Sequence, residues 1–419
     1  MSGLLLAGCA APVVVTPVRS GAPDGRQFGV FVHPSQFDTV NTVRLTGADG
    51  SDDGVMDSFA YYTIDRFANV VDIDVRTGQS TWLAPLTGTT QPAGEWLCSD
   101  LVTDGAHVYA IAGDFQDSSA AVPVELTAFD KSTGALAWRY SPPTTQPPVA
   151  TECGGALNYR LTTTSAGLLL SLSEAGQTNY SEMLDASTGA VIWRVDWAVQ
   201  AIGRTPYGIA VGGGITPLGN TITTVWSIDL ATGQTISTID QASTTSPDWP
   251  PTYSLLGQIG DNLAVMRQVL SEPAQPDGAV TTTTSLLMMS ATTGLTSPDA
   301  TIELSDNDLD SCQLGSPTML VCTRLGGDGL AFGLSLPDGS TRWQHTYADT
   351  ANLLPMVFNG YLYGTPDNQP YVLDTATGGL LSQSNKYQRT IAVNQTGMVF
   401  SVTDASGFAW QCWWAPAIA

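Results

Sequence analysis

The chain has 419 residues, with 15 basic and 38 acidic side chains, a formal net charge of −23. That charge excludes docking on nucleic acid or on anionic lipid, both of which need a basic face. An apolar fraction of 43% excludes global disorder, while only 13% charged residues with 42 Gly and 25 Pro argue against long amphipathic helices and for many short strands joined by turns.

In chain order, the first feature is Leu6-Ala7-Gly8-Cys9, preceded by an apolar Leu4-Leu5. It resembles the lipobox of bacterial lipoproteins, in which the signal peptide is cut before a cysteine that then receives lipid. The resemblance implies a signal peptide over 1–8, lipidation of Cys9 and residence on the extracytoplasmic face of the cell membrane, with a tether over 9–27 and one folded unit over 28–419. The basic n-region of such signals is missing, and the apolar stretch is short. No later segment reaches the roughly 18–20 apolar residues of a membrane span, so the lipid would be the only membrane attachment. Phe28-Gly-Val-Phe-Val32 then reads as a strand with no local partner. Asp49-Gly50-Ser51-Asp52-Asp53-Gly54 gathers oxygen ligands suited to calcium but without the spacing of a binding loop, and reads as a solvated acidic turn.

From residue 74 onward a repeat organises the chain. Its copies are Asp74-Val-Arg-Thr-Gly78, Asp130-Lys-Ser-Thr-Gly134, Asp185-Ala-Ser-Thr-Gly189, Asp229-Leu-Ala-Thr-Gly233 and Asp374-Thr-Ala-Thr-Gly378, with degenerate copies Ser290-Ala-Thr-Thr-Gly294 and Ser335-Leu-Pro-Asp-Gly339. The glycines lie 39 to 61 residues apart, about 50 on average, the period of propeller blades or solenoid units. Each copy follows an apolar run such as Leu126-Thr-Ala-Phe129. The Asp can accept backbone N–H groups two and three residues on, and Gly supplies the positive φ that closes the turn. Four residues after the Gly stands Trp82, Trp138, Trp193 or Trp343. With two further short strands upstream, such as Gly105–Ile111, each unit holds the four strands of one blade.

Val211-Gly212-Gly213-Gly214 reads as a tight hairpin. Asp306-Asn307-Asp308-Leu309-Asp310 opens like a calcium loop, but Pro317 stands where the bidentate Glu belongs, so it reads as another acidic loop. Cys312 and Cys322 flank the turn signal Leu314-Gly315-Ser316-Pro317; two short strands around it would set the thiols opposite each other as a disulfide. Cys98 and Cys153 are a second available pair, and the odd count leaves one thiol over, Cys412 or one of those two. With three His (33, 107, 345) and no Cys-x-x-Cys, zinc is a weak rival. Nucleophilic elbows and phosphate loops are missing, and Lys131 and Lys386 are the only lysines. After Gly378, residues 389–393, 397–402 and 407–414 read as three strands of a last blade, with Trp413-Trp414 buried in the closing strand.

The pattern apolar–Asp–x–x–Thr–Gly–x–x–x–Trp after a Gly-led strand carrying Val-Tyr or Leu-Tyr resembles the PQQ-type β-propeller repeat, from about residue 40 to the C-terminus. That family includes quinoprotein alcohol dehydrogenases and BamB-like envelope lipoproteins. The resemblance implies an all-β chain forming a single β-propeller of four-stranded blades, in which Trp82, Trp138, Trp193 and Trp343 brace blade against blade. Eight blades are favoured over seven, closed by an N-terminal strand, Phe28–Val32. In the dehydrogenases a disulfide between adjacent cysteines lies against the quinone beside a calcium ion; this chain has no Cys-Cys dipeptide and no haem-attachment motif. The expectation is therefore a non-enzymatic, monomeric scaffold without cofactor or metal. It would bind an envelope protein, a peptide or a glycan, and would carry no catalytic residues. A small PQQ-dependent dehydrogenase, with PQQ and calcium bound, is the alternative.

Overall fold

The computed structural model describes residues 14–15, 30–31, 34–38, 41–46, 48, 54–65, 69–86, 97–114, 125–142, 157–174, 179–203, 205–215, 221–244, 251–259, 262–271, 281–293, 301–304, 311–324, 329–336, 340–347, 356–364, 371–383, 389–403 and 410–418. All of its regular structure is β. Eight four-stranded antiparallel sheets follow one another along the chain. Blade 1 is built from Gly54–Asp57, Ala60–Ile64, Asn69–Asp74 and Gln79–Pro85, and the next six repeat that order over 97–140, 157–195, 198–244, 252–304, 311–347 and 356–383. Blade 8 takes Arg389–Asn394, Gly397–Thr403 and Trp410–Pro416 from the end of the chain and its fourth strand, Val43–Arg44, from the beginning. The first strand of blade 8 packs against that of blade 1, which closes the ring. Eight blades are present.

The core is divided into eight apolar layers, one at each seam between neighbouring blades. Successive side chains on a strand point to opposite faces, so Tyr61 and Val71 enter the seam with blade 8 while Tyr62 and Val70 enter the seam with blade 2. Leu168 and Leu169 divide in the same way between the two flanks of blade 3. A sheet covered on both faces needs apolar residues in continuous runs, which is why the middle strands of a blade read as Val70-Val71 or Leu168-Leu169-Leu170 instead of alternating.

Two expectations need correction. Closure is not made by Phe28–Val32: Val30–Phe31 pairs instead with Val14–Val15, outside the blades. The closing segment lies further on. Val43 and Arg44 stand opposite Trp414 and Trp413, Leu45 N–H donates to Cys412 O at 2.9 Å and Asp38 N–H to Pro416 O at 2.8 Å, and Phe37 bridges to Ala417. The reason is positional. The fourth strand of a blade is an edge, with one flank on its neighbour and the other in water, so it alternates as Val43-Arg44-Leu45, whose members are half-buried, exposed and fully buried. A solid apolar run would be out of place there. The second correction concerns Val211–Gly214, which forms no hairpin but lies inside the strand Tyr207–Ile215, paired with Ile222–Val225. A Cβ on Gly212 would meet Trp226 and Trp197 at 2.8 and 2.9 Å, so its bare backbone makes room for that stacked indole pair.

Candidate functional site

The repeated turn is built the same way in four of its five full copies. In Asp130 and Asp185 one carboxylate oxygen accepts N–H groups two and three residues on at 2.9–3.0 Å, together with the intervening hydroxyls, and Gly134 and Gly189 N–H return to the Asp carbonyl at 2.8 Å. Asp229 and Asp374 repeat the pattern. Hydroxyls of Ser132, Thr133, Ser187 and Thr188 hold the Asp130 and Asp185 carboxyls below the usual carboxylate range. Asp74 differs: its carboxylate accepts Arg76 N–H and the Arg76 guanidinium, while Thr77 N–H donates to the Asp74 carbonyl at 3.1 Å. In the degenerate fifth copy, Ser290 Oγ accepts the N–H groups of Thr292 and Thr293 in place of a carboxylate.

The tryptophan of one blade docks on the turn of the next. Trp82, Trp138, Trp193 and Trp343 Nε1–H donate to the carbonyls of Lys131, Ala186, Leu230 and Thr375 at 3.0, 3.1, 2.9 and 2.8 Å, in each case the residue after the motif Asp. The motif Gly lies against the same indole: a Cβ on Gly134, Gly189, Gly233 or Gly378 would come within 2.4–2.7 Å of the ring, and all four have φ between 68° and 71°. Gly therefore answers two demands at once, the left-handed turn and the face of a ring. Among the described residues, the seam between blades 8 and 1 carries no tryptophan of this kind. There Gly78 faces the Arg44 carbonyl of the closing strand, and Thr46 N–H donates to Gly78 O at 2.8 Å.

Polar side chains of the innermost strands tie neighbouring blades together. Asp100 accepts Leu161 N–H at 2.6 Å; Gln200 donates to Tyr253 O at 2.8 Å and accepts Leu255 N–H at 2.7 Å; Gln313 accepts Val357 N–H at 3.0 Å. At the seam of blades 2 and 3, buried Glu182 accepts from Tyr140 at 2.6 Å and pairs with Arg194 at 3.6 Å. Burial and the Glu182 carboxylate push the Tyr140 hydroxyl far above its ordinary range.

The densest titratable group joins blades 1, 2 and 3 at the face of the short turns. Lys131 Nζ contacts the Asp57 carboxylate, donates to Asp104 O at 2.7 Å and lies 5.8 Å over the Tyr62 ring. Asp104 accepts Ala106 and His107 N–H at 2.7 Å and the Tyr109 hydroxyl at 2.6 Å. Burial alone would raise Asp104, but the Tyr109 hydroxyl and those N–H groups outweigh it and bring its carboxyl down. Tyr109 also donates to the Ala186 carbonyl that Trp138 uses, at 3.1 Å. Sequence reading treated Lys131 only as one of two lysines; the repeat places it one residue after a motif Asp, the position whose carbonyl docks a tryptophan, and that register was the available signal.

Of the expected site residues, Cys312 and Cys322 form a disulfide from directly opposed positions on adjacent strands. Both are buried in the seam of blades 5 and 6. Cys412 is a buried thiol whose Sγ lies 3.4 Å from Ala48 O. Cys98 lies on the first strand of blade 2, whereas Cys153, Cys9 and the acidic stretches 49–53 and 306–310 fall outside the described residues. Trp414 is fully buried. Among the described residues, no three His, Cys, Asp or Glu side chains are placed to hold a metal ion, and no helix is long and apolar enough to cross a membrane.

No protein-family profile and no curated relative match the chain. Solved structures do. The Dos1 propeller superimposes with a TM-score of 0.56 at 10% identity, over 91% of this chain and 94% of that one. Quinohemoprotein alcohol dehydrogenase from Comamonas testosteroni gives 0.55 at 12%, over 91% and 76%. BamB from Moraxella catarrhalis gives 0.46 at 13%, over 90% and 98%. The likeness is one of fold. It is that of a β-propeller, which in this chain has eight blades.

Proposed function

We propose that the chain is a lipid-anchored, extracytoplasmic propeller that works as a non-enzymatic scaffold, binding an envelope protein, peptide or glycan. The observation that carries this reading is how the described polar groups are used. The motif carboxylates hold turns, Asp100, Gln200, Gln313 and Glu182 tie blade to blade, and the indoles brace seams. The side chains left to water on the outer strands include Leu83, Leu136, Val191, Ile192 and Leu380, an aliphatic rim. Large exposed apolar groups on a rigid frame favour surface recognition over bond-making chemistry.

The second reading, a quinoprotein dehydrogenase, is favoured by the likeness to the Comamonas enzyme. The described residues do not fit it: the Cys312–Cys322 bridge joins two strands inside an apolar seam, where it cannot lie against a quinone. One two-arm experiment tests the proposal. Incubation with PQQ and Ca²⁺, followed by absorbance and dye-coupled alcohol oxidation, is expected to give neither a bound chromophore nor turnover. Cys9→Ala is expected to move the protein from the detergent phase to the aqueous phase. Turnover would overturn the scaffold, and equal partitioning of parent and variant would overturn the anchor.

A further inference from the structure

We infer that Lys131 and Asp57 are a site of covalent modification, an intramolecular isopeptide bond that fastens blade 1 to blade 2. This stands apart from the scaffold reading, since neither the anchor nor a partner enters the argument.

The two groups are in contact across the seam, and both are held from behind. Lys131 has its N–H on Ala106 O at 2.9 Å and its carbonyl on Trp82 Nε1 at 3.0 Å. Its Nζ is directed by the Asp104 carbonyl at 2.7 Å. Asp57 ends the first strand of blade 1, paired with Ala60, and the next residue, Ser58, has φ of 52° and a carbonyl that accepts from Asn394 and Thr396 at 2.8 Å. Nucleophile and acceptor are thus held in contact by folding itself, and intramolecular reactions between groups so held reach very high effective molarity. The surroundings favour the reactive form of the amine. The Lys131 side chain is 15% exposed and lies over Tyr62, and burial lowers its ammonium below the ordinary lysine range. The Asp57 side chain, 42% exposed, keeps one flank open to water.

The chemistry balances without a cofactor. A proton passes from the ammonium to the carboxylate within the pair, and the neutral amine attacks the Asp57 carboxyl carbon. The Nζ–Cγ bond forms, a Cγ–O bond breaks, and one water leaves through the exposed flank. Ammonium and carboxylate become amide and water; nothing is oxidised or reduced, and two half-buried charges vanish from the seam. The product amide keeps one N–H for the Asp104 carbonyl.

The test is a tryptic digest of the full, purified chain, reduced and alkylated, read by mass spectrometry. An acylated Lys131 resists trypsin, so the bond predicts one branched peptide joining residues 45–66 to 77–139, uncut at Lys131 and lighter than its two parts by one water. Lys131→Arg keeps the cation but cannot be linked in this way, and is expected to release residues 45–66 as a linear peptide of full mass. Cleavage after Lys131 in the parent, with both linear peptides at full mass, would show an ion pair only and overturn the proposal. The parent digest decides alone, whether or not the variant folds.

Discussion

At the scale of single residues, the pairing of motif Gly with the preceding blade's Trp carries much of the seam. Trp138 is buried, spends its indole N–H on Ala186 O and has Gly189 against its ring. Truncation leaves a cavity no neighbour can fill, so Trp138→Ala is expected to cost about 3–5 kcal/mol and to lower the urea midpoint well below the parent's. An unchanged midpoint would mean the ring does not dock. Asp72 runs the other way. It is 7% exposed, its Oδ2 accepts from Thr81, and its Oδ1 has no donor among the described residues. Burial raises its carboxyl, the Thr81 hydrogen bond opposes that, and the nearby Asp74 charge adds to the rise. A carboxyl raised on folding binds its proton more tightly in the native state, so its contribution to stability improves as pH falls through the native pKa and worsens as pH rises. Asp72→Val removes the buried carboxylate and suits a strand, and Thr81 can still donate to the residue 72 carbonyl. It is expected to melt above the parent at neutral pH, with the gap closing in acid; a variant that melts lower at neutral pH would reveal a missed partner. The Trp and Gly roles were legible because a turn and an aromatic recur together at fixed spacing. Asp72 was not, since a carboxylate in Val70-Val-Asp-Ile73 reads as a solvent-facing position until blade 2 covers that flank.

At the scale of elements, the strands that repeat were easy to read and the strand that occurs once was not. Arg389–Asn394, Gly397–Thr403 and Trp410–Pro416 form three strands of blade 8 where 389–393, 397–402 and 407–414 were expected, because they lie in sequence as hairpins do; residues 407–409 fall outside the described residues. The fourth strand lies hundreds of residues away, and hydrophobicity pointed to Phe28–Val32 when an edge needs only Val43 and Leu45 on its inner flank. Gly212–Gly214 misled for a related reason: glycine marks a turn or a close approach, and only the position of Trp226 decides which. Truncation separates the two closing candidates. A chain starting at Pro34 keeps the Tyr363 hydrogen bond to Pro34 O, at 2.6 Å, and the whole closing segment. A chain starting at Ala48 loses Leu45, fully buried, and the hydrogen bonds along Trp410–Pro416. The first is expected to keep the parent's thermal midpoint. The second is expected to melt much earlier and to aggregate, since loss of one buried Leu side chain costs about 2–5 kcal/mol and an open edge remains. Equal melting of the two would return closure to another segment.

At the scale of the molecule, the fold was legible and the site was not, for one physical cause. A fifty-residue period writes the same contacts many times, so one good copy teaches all the others. A binding surface is written once, in side chains that need share nothing with their counterparts in the next blade. The Lys131–Asp57–Asp104–Tyr109 group illustrates this. Asp104, Tyr109 and Lys131 sit at ordinary positions of blade 2 and Asp57 at one of blade 1, and only the docking of the two blades brings all four together.

The closing strand also fixes a schedule. Ala48 and its partner Cys412 are 364 residues apart, so on a chain made from its N-terminus the latch is synthesised before blade 1 and finds its seat only after blade 8. Until then the Tyr61, Val71 and Ile73 flank of blade 1 has no blade 8 to cover it. A nascent or unfinished chain therefore presents a bare apolar sheet face, which a holding chaperone can grip, while a finished ring has hidden it. Emergence of blade 8 is itself the signal that ends that exposure.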